Sequence, residues 1–217
     1  MKVFLDKIVK FSYNRFAELI GIILILSSVL LLISLLSYSP EDPNFIYSDN
    51  SEIKNYLGVR GSYISDIFFQ SVGLISILIP FTIFFTGFKI LISKNYLILI
   101  ENIFLIIVYS LMGSLFFSVY LESSFWLTIN GNSGFLGNIY NDTFIIDLVN
   151  LNSNISYYFL ILVTLFIFLM STNLKLIYLL NLLKRITFKK RTKKTTFVES
   201  VYNPSIEDNF EERRVQE

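Results

Sequence analysis

The chain has 217 residues, of which 53% are hydrophobic and only 16% charged, with a formal net charge of +1. It contains no cysteine, which excludes disulfides, iron–sulfur clusters and thiolate zinc sites. It contains no histidine either, which removes the commonest general base, the usual haem and zinc ligand and the HExxH membrane proteases.

Four runs carry no charged residue: Leu19 to Pro40, Ile67 to Phe88, Asn102 to Leu121 and Leu148 to Leu174. Each is long enough, at about 1.5 Å rise per residue, to cross a hydrocarbon core about 30 Å thick. The expected fold is therefore an all-α integral membrane protein, a four-transmembrane-helix bundle occupying residues 1–183.

The first span is expected over residues 17–38, preceded by Lys2, Lys7, Lys10 and Arg15. A basic start and the string Ser37-Tyr38-Ser39 loosely mimic a cleaved signal peptide. Its apolar region of about 18 residues exceeds the usual length, and Pro40 would follow the cut, so an uncleaved anchor is expected. The outer segment 39–65 holds the turn formers Ser39-Pro40, Asp42-Pro43-Asn44, Gly58 and Gly61. The second span, 66–92, contains Pro80, which removes one backbone donor and is expected to kink it. In the third, 97–120, Ser110, Ser114 and Ser118 repeat at four-residue spacing beside Gly113. Such a face allows close helix approach, either between protomers or within the bundle. Lys89 and Glu101 lie near inner helix ends, where long side chains snorkel to headgroups.

The second outer segment, 121–154, carries no lysine or arginine up to Asn154. Its run NGNSGFLGN, Asn130 to Asn138, predicts a sharply turned loop. The apolar residues from Phe144 to Leu151 fit a short helix in the outer interface or an outward extension of the fourth span, 155–180. Tyr38, Tyr63, Tyr120, Trp126, Tyr157 and Tyr158 fall near the outer boundary as an interfacial aromatic belt.

Residues 184–217 are expected to form a basic juxtamembrane segment and a disordered linker. The basic cluster is Lys184, Arg185, Lys189, Lys190, Arg191, Lys193 and Lys194, and Glu207, Asp208, Glu211 and Glu212 turn the tail acidic. The cluster reads as a topological stop, a contact for anionic lipid, or a nucleic-acid contact. Apart from Lys54 and Arg60, every lysine and arginine falls on one side if all four runs cross, so both termini are expected in the cytoplasm.

The first outer segment is the most distinctive. LLSYSPEDPNF (Leu35 to Phe45) follows span one, and Asn55, Gly58, Gly61 and Asp66 lead into span two at fixed spacing, with Gly73 and Pro80 beyond. This order of Ser37, Tyr38, Pro40, Asp42, Pro43, Asn55, Gly58, Gly61 and Asp66 resembles the N-terminal four-span membrane domain of the FtsK/SpoIIIE-type bacterial DNA translocases. Gly131, Gly134 and Gly137 resemble that family's second outer loop, whereas Ser65 stands where the family commonly has alanine. By that resemblance the chain is a membrane anchor and assembly module of a septal DNA translocase in the bacterial inner membrane, acting in cell division and chromosome segregation. Its implied partners are membrane lipids, copies of itself in a homo-oligomer for which a hexamer is one candidate, and other division proteins.

DNA would be reached only through an ATP- and magnesium-dependent motor domain. No G-x-x-x-x-G-K-[ST] phosphate loop is present, and the nearest string, Thr86 to Lys89, lies in a span. The chain is therefore expected to bind no cofactor and hydrolyse no ATP, and to be a fragment, a truncated product or a separately encoded anchor. Read from residues alone, Asp42 and Asp66 either bind a partner or are structural, Asp42 within a turn and Asp66 as the N-cap of the second helix, and the structural reading is favoured. A subunit of a small channel or transporter is the alternative function, disfavoured by the lack of mid-membrane charge and of paired interrupted helices. A membrane-embedded enzyme would need carboxylate or Ser/Lys chemistry, and no paired carboxylates fall within the spans.

Overall fold

The computed structural model describes residues 2–44, 52–124, 126–127 and 129–172, with side chains described from Phe4. Among these residues the structure is all helical, with no strand, and four helical stretches are long and apolar enough to cross a membrane. The chain divides into one unit of Met1–Leu176 and a second of Ile177–Glu217. The expected inner end of span four, the basic cluster and the acidic tail lie outside the described residues.

Helix α1 runs from Lys2 to Leu36. Its 35 residues reach about 52 Å, well beyond the hydrocarbon core, because nothing in its basic first half breaks a helix. The uncharged part up to Leu36 matches one crossing, and the outward-facing Leu19, Ile22, Ile23 and Leu26 are exposed for contact with lipid. Below it, Glu18 pairs with Arg15 at 2.6 Å and with Lys94 at 2.7 Å, tying α1 to the turn between spans two and three.

Span two is not one helix kinked at Pro80. Helix α2 (Gly58–Val72) ends at Gly73, a 3-10 turn follows over Gly73–Ile77, and α3 (Leu78–Ser93) completes the crossing. Gly73 adopts φ 72° and ψ −150°, a region open essentially to glycine alone. Pro80 sits in the first turn of α3, where its missing N–H and fixed φ are tolerated. The break moves from the proline to the glycine because only the glycine demands a non-helical backbone. From Gly73 to Ser93 the 3-10 turn and α3 together cover about 34 Å, a full crossing. Helix α2 is thus additional to span two, and its start at Gly58 places Asp66 two turns inside the helix, not at its N-cap.

Helix α4 is Leu97–Tyr120. In the second outer segment, α5 (Gly134–Asn141) forms within what the sequence suggested was only a tight loop. Next comes α6 (Phe144–Asn150), a separate short helix with no buried residue, so Phe144 to Leu151 does not extend the last span. Helix α7 is Ser153–Thr172, packed along α4.

The half of the bundle that is inner in the expected topology is held by close approach. A Cβ on Gly21 would lie 2.9 Å from the Gly87 carbonyl oxygen and 2.7 Å from Leu91, so α1 and α3 touch backbone to backbone there. Ala17, Ile90 and Ile98 form a fully packed cluster beside this crossing. A buried polar chain joins α3, α4 and α7: Thr82 meets Ser171 at 3.0 Å and Tyr109 at 3.3 Å, and Asn102 donates to Thr86 at 2.7 Å. Such bonds replace contacts that lipid cannot offer.

Candidate functional site

The end of the bundle that carries residues 39–65 and 121–154, outer in the expected topology, holds the largest concentration of buried polar groups, and the motif residues build it. Asp42 is buried, and its two carboxylate oxygens accept the backbone N–H groups of Lys54 and Asn55, each at 2.8 Å. The aspartate therefore does more than occupy a turn; it closes the first outer segment on itself. A carboxylate is suited to this because its two oxygens each accept a bond from adjacent amides, and charged acceptors bond more strongly. Lys54 and Glu41 add an exposed ion pair across the same closure, which holds the Glu41 carboxyl below and the Lys54 amine above their ordinary values.

Asn55 then locks the segment to the bundle. Its side-chain amide donates to the Ser34 carbonyl at 2.9 Å, and its own oxygen accepts the Leu57 N–H at 3.1 Å. Ser34 donates to the Gly61 carbonyl at 2.6 Å, and Ser62 donates to the Pro43 carbonyl at 2.7 Å. Ser37 accepts the Tyr56 N–H at 3.1 Å. Gly61 has to be glycine because a Cβ would fall 2.1 Å from the Asn55 side-chain oxygen. Ser65, the departure from the family pattern, joins this network: it donates within α2 and lies 3.4 Å from the Asn55 amide.

A second chain of contacts leads across to the other outer segment. Tyr38 donates to Asp66 at 3.4 Å, and Gln70 donates to the same carboxylate oxygen at 3.3 Å. Asn130 donates to the Gln70 side chain at 3.0 Å, and Asn138 donates to Asn130 at 3.1 Å. Burial and the neighbouring Asp66 charge push the Tyr38 phenol up to about 12, so it remains a donor at neutral pH. Tyr38, Phe69 and Trp126 stack with ring centroids 4.9–5.7 Å apart over buried Leu35 and Leu127. Tyr38 and Trp126 thus face one another more than they face lipid. Tyr120 and Tyr157 pair edge to face, and Tyr120 donates to the Ser153 carbonyl, pinning the top of α4 to that of α7.

The glycines of the second segment serve the break in span two. Leu74 N–H donates to the Asn132 carbonyl at 2.9 Å, so the outer loop fills the gap that the 3-10 turn leaves. Gly134, at φ +66°, would place a Cβ 2.4 Å from the Gly73 nitrogen. Gly137 packs under Ser133, and its carbonyl accepts from Ser118 at 3.1 Å. Ser114 donates to the Ser133 carbonyl. The serine stripe of α4 thus holds this loop, and Ser110 is buried beside it without a hydrogen-bond partner among the described residues. Gly131 makes its own turn, its N–H donating to the Leu127 carbonyl at 2.9 Å.

The structure therefore joins Ser37, Asp42, Pro43, Asn55 and Gly61 in one latch and Tyr38 with Asp66 in a neighbouring relay. Pro40 is exposed in the turn, and Gly58 supplies a φ of +64° and donates its N–H to the Asn55 carbonyl at 2.9 Å. Gly131, Gly134 and Gly137 belong to a different assembly around Gly73. Sequence reasoning missed Ser34, Ser62, Gln70 and Asn130. Ser34 was traceable, being a polar residue one turn before Ser37 in an otherwise apolar run. Among the described residues no group of His, Cys, Asp or Glu has the arrangement of a metal site.

These features define a polytopic, all-helical membrane domain whose spans are capped on one side by interlocked loops. Residues 13–183 match the family described as the 4TM region of DNA translocase FtsK/SpoIIIE, and the chain belongs to that family. No curated protein and no solved structure matches it.

Proposed function

We propose that this chain is the membrane anchor and assembly module of a septal DNA translocase, seated in the bacterial inner membrane with both termini in the cytoplasm. The family match over residues 13–183 carries this reading. The charge distribution supports the orientation, since Lys54 and Arg60 alone among the lysines and arginines flank the outer side. The latch supports the assembly role. It fixes the outer loops against the spans and so presents a pre-ordered surface to other division proteins, which lowers the entropy cost of binding. Self-association through the spans would gather copies of a hexameric motor, and ATP, magnesium and DNA would be handled by that motor.

Cross-linking in native membranes, combined with imaging of a labelled chain, tests the proposal. Oligomers and enrichment at the septum are expected. Monomers alone, with label spread evenly along the envelope, would overturn it. Finding whether the reading frame or the next gene encodes a P-loop ATPase is a further check.

The channel alternative gains one feature, the non-helical junction at Gly73 where α2 meets span two, since broken helices line substrate sites in transporters. Here the Asn132 carbonyl and Gly134 occupy the break. Flux through liposomes carrying the chain would favour the alternative.

A further inference from the structure

We propose that the cleft between α1, α2 and α3 is a binding site for one anionic phospholipid, with its phosphate on Arg60 and an acyl chain in the groove below. The cleft has a volume of about 480 Å³ and is lined by Ser27, Leu31 and Ser34 of α1, Ile64 of α2 and Ile83 of α3, with Arg60 also on its wall.

Three observations converge on that occupant. The first is charge. Lys54 and Arg60 are the only two cations of the segment joining the first two spans, and Lys54 is spent on Glu41. Arg60 is exposed and has no ion-pair partner among the described residues. Its guanidinium matches a phosphate in geometry and charge. It lies in the first turn of α2, where the positive end of the helix dipole also favours an anion.

The second is depth. Leu36 ends α1 at the outer boundary, and the uncharged stretch begins at Leu19, so Ser27 lies near the bilayer midplane. The wall from Ser27 to Ser34 therefore follows the outer half of the hydrocarbon, about 10 Å along the helix. An acyl chain hanging from a headgroup at the level of Arg60 would occupy that interval. The arginine stem can lie along Ile64 while the guanidinium reaches the phosphates.

The third is chemistry. The wall below Arg60 is dominated by aliphatic side chains, and of its two serines Ser34 is committed to the Gly61 carbonyl of α2. A sugar or peptide would find few partners there, whereas a hydrocarbon chain needs none. This assignment rests on the chain's membrane-spanning fold and is independent of any role at the septum.

The test uses the full chain, purified in mild detergent, equilibrated with phosphatidylglycerol or phosphatidylcholine and read by native mass spectrometry. One phosphatidylglycerol should be retained in preference to phosphatidylcholine. Arg60→Gln should lower its retention about tenfold, the effect of one charge-assisted contact. Lys54→Gln should leave retention unchanged, and Ile64→Trp, which fills the groove, should lower retention of both lipids. Glycerol phosphate without acyl chains should not compete. The helical circular-dichroism signal confirms that each variant is folded. Equal retention of the two lipids, wild-type retention by Arg60→Gln, or competition by glycerol phosphate would overturn the proposal.

Discussion

The two ends of this bundle are built by different physics. At the inner end, α1 and α3 meet through Gly21 and Gly87, with Ala17, Ile90 and Ile98 packed alongside and an ion pair from Glu18 to Lys94 beneath. At the outer end, contact is made by Asp42, Asn55, Ser34, Gln70 and Asn130 through directional bonds to backbone and side chains. Small residues suffice where two regular helices run side by side, because only shape has to match. An interrupted helix and two folded loops expose many amides and carbonyls, and each needs its own partner. The outer end is thus the part whose stability depends on individual polar atoms.

The contrast can be broken most forcefully at Gly73. Gly73→Ala combines a forbidden backbone region with a Cβ only 2.0 Å from the Asn132 carbonyl oxygen, and should cost more than about 4 kcal/mol. Thermal unfolding followed by circular dichroism should show the loss, with little folded protein recovered.

Asp42→Ala comes next. It strands the amides of Lys54 and Asn55 and should cost about 3 kcal/mol. Because the only tryptophan lies in the outer cluster, its fluorescence transition should move below that of the helical signal. Coincident transitions would mean that the two ends melt as one unit. Gly21→Ala, at the inner crossing, should cost about 2 kcal/mol through overpacking and move both signals together.

A subtler effect concerns pH. The folded-state value of Tyr38 is raised from 10.0 to about 12, so the stabilisation is present below pH 10 and is lost as pH rises through that interval. Trp126 fluorescence should report the outer end loosening there, and Tyr38→Phe should remove the step. Smallest of all, Lys54→Gln should leave the melting temperature unchanged, since the pair with Glu41 is exposed.

Much of this was legible in the chain. The uncharged runs mark the helices because lipid rejects charge and unpaired backbone alike. Helix α4 was plain because charge and turn residues bound it at both ends. The motif residues were readable as a set, since Asp42, Asn55 and Gly61 had only to be recognised in order. Their partners were not, because a serine in an apolar helix looks the same whether it bonds to its own turn or to another loop. The break at Gly73 was hidden for a related reason: proline announces itself, whereas a glycine in a span reads equally as close packing. Helix α5 was masked by the glycines that make its approach to Gly73 possible.

The closure made by Asp42 has a practical consequence for engineering. The 11 residues between its carboxylate and the Lys54 amide are bounded by two anchored points, so extra length inserted there need not be transmitted to the spans. Loop-closure entropy grows slowly, and doubling that segment should cost only about 0.6 kcal/mol. A short epitope placed between Glu52 and Ile53, both exposed, would therefore be a permissive handle. Its accessibility to an antibody in intact spheroplasts would report directly which side of the membrane the closure faces.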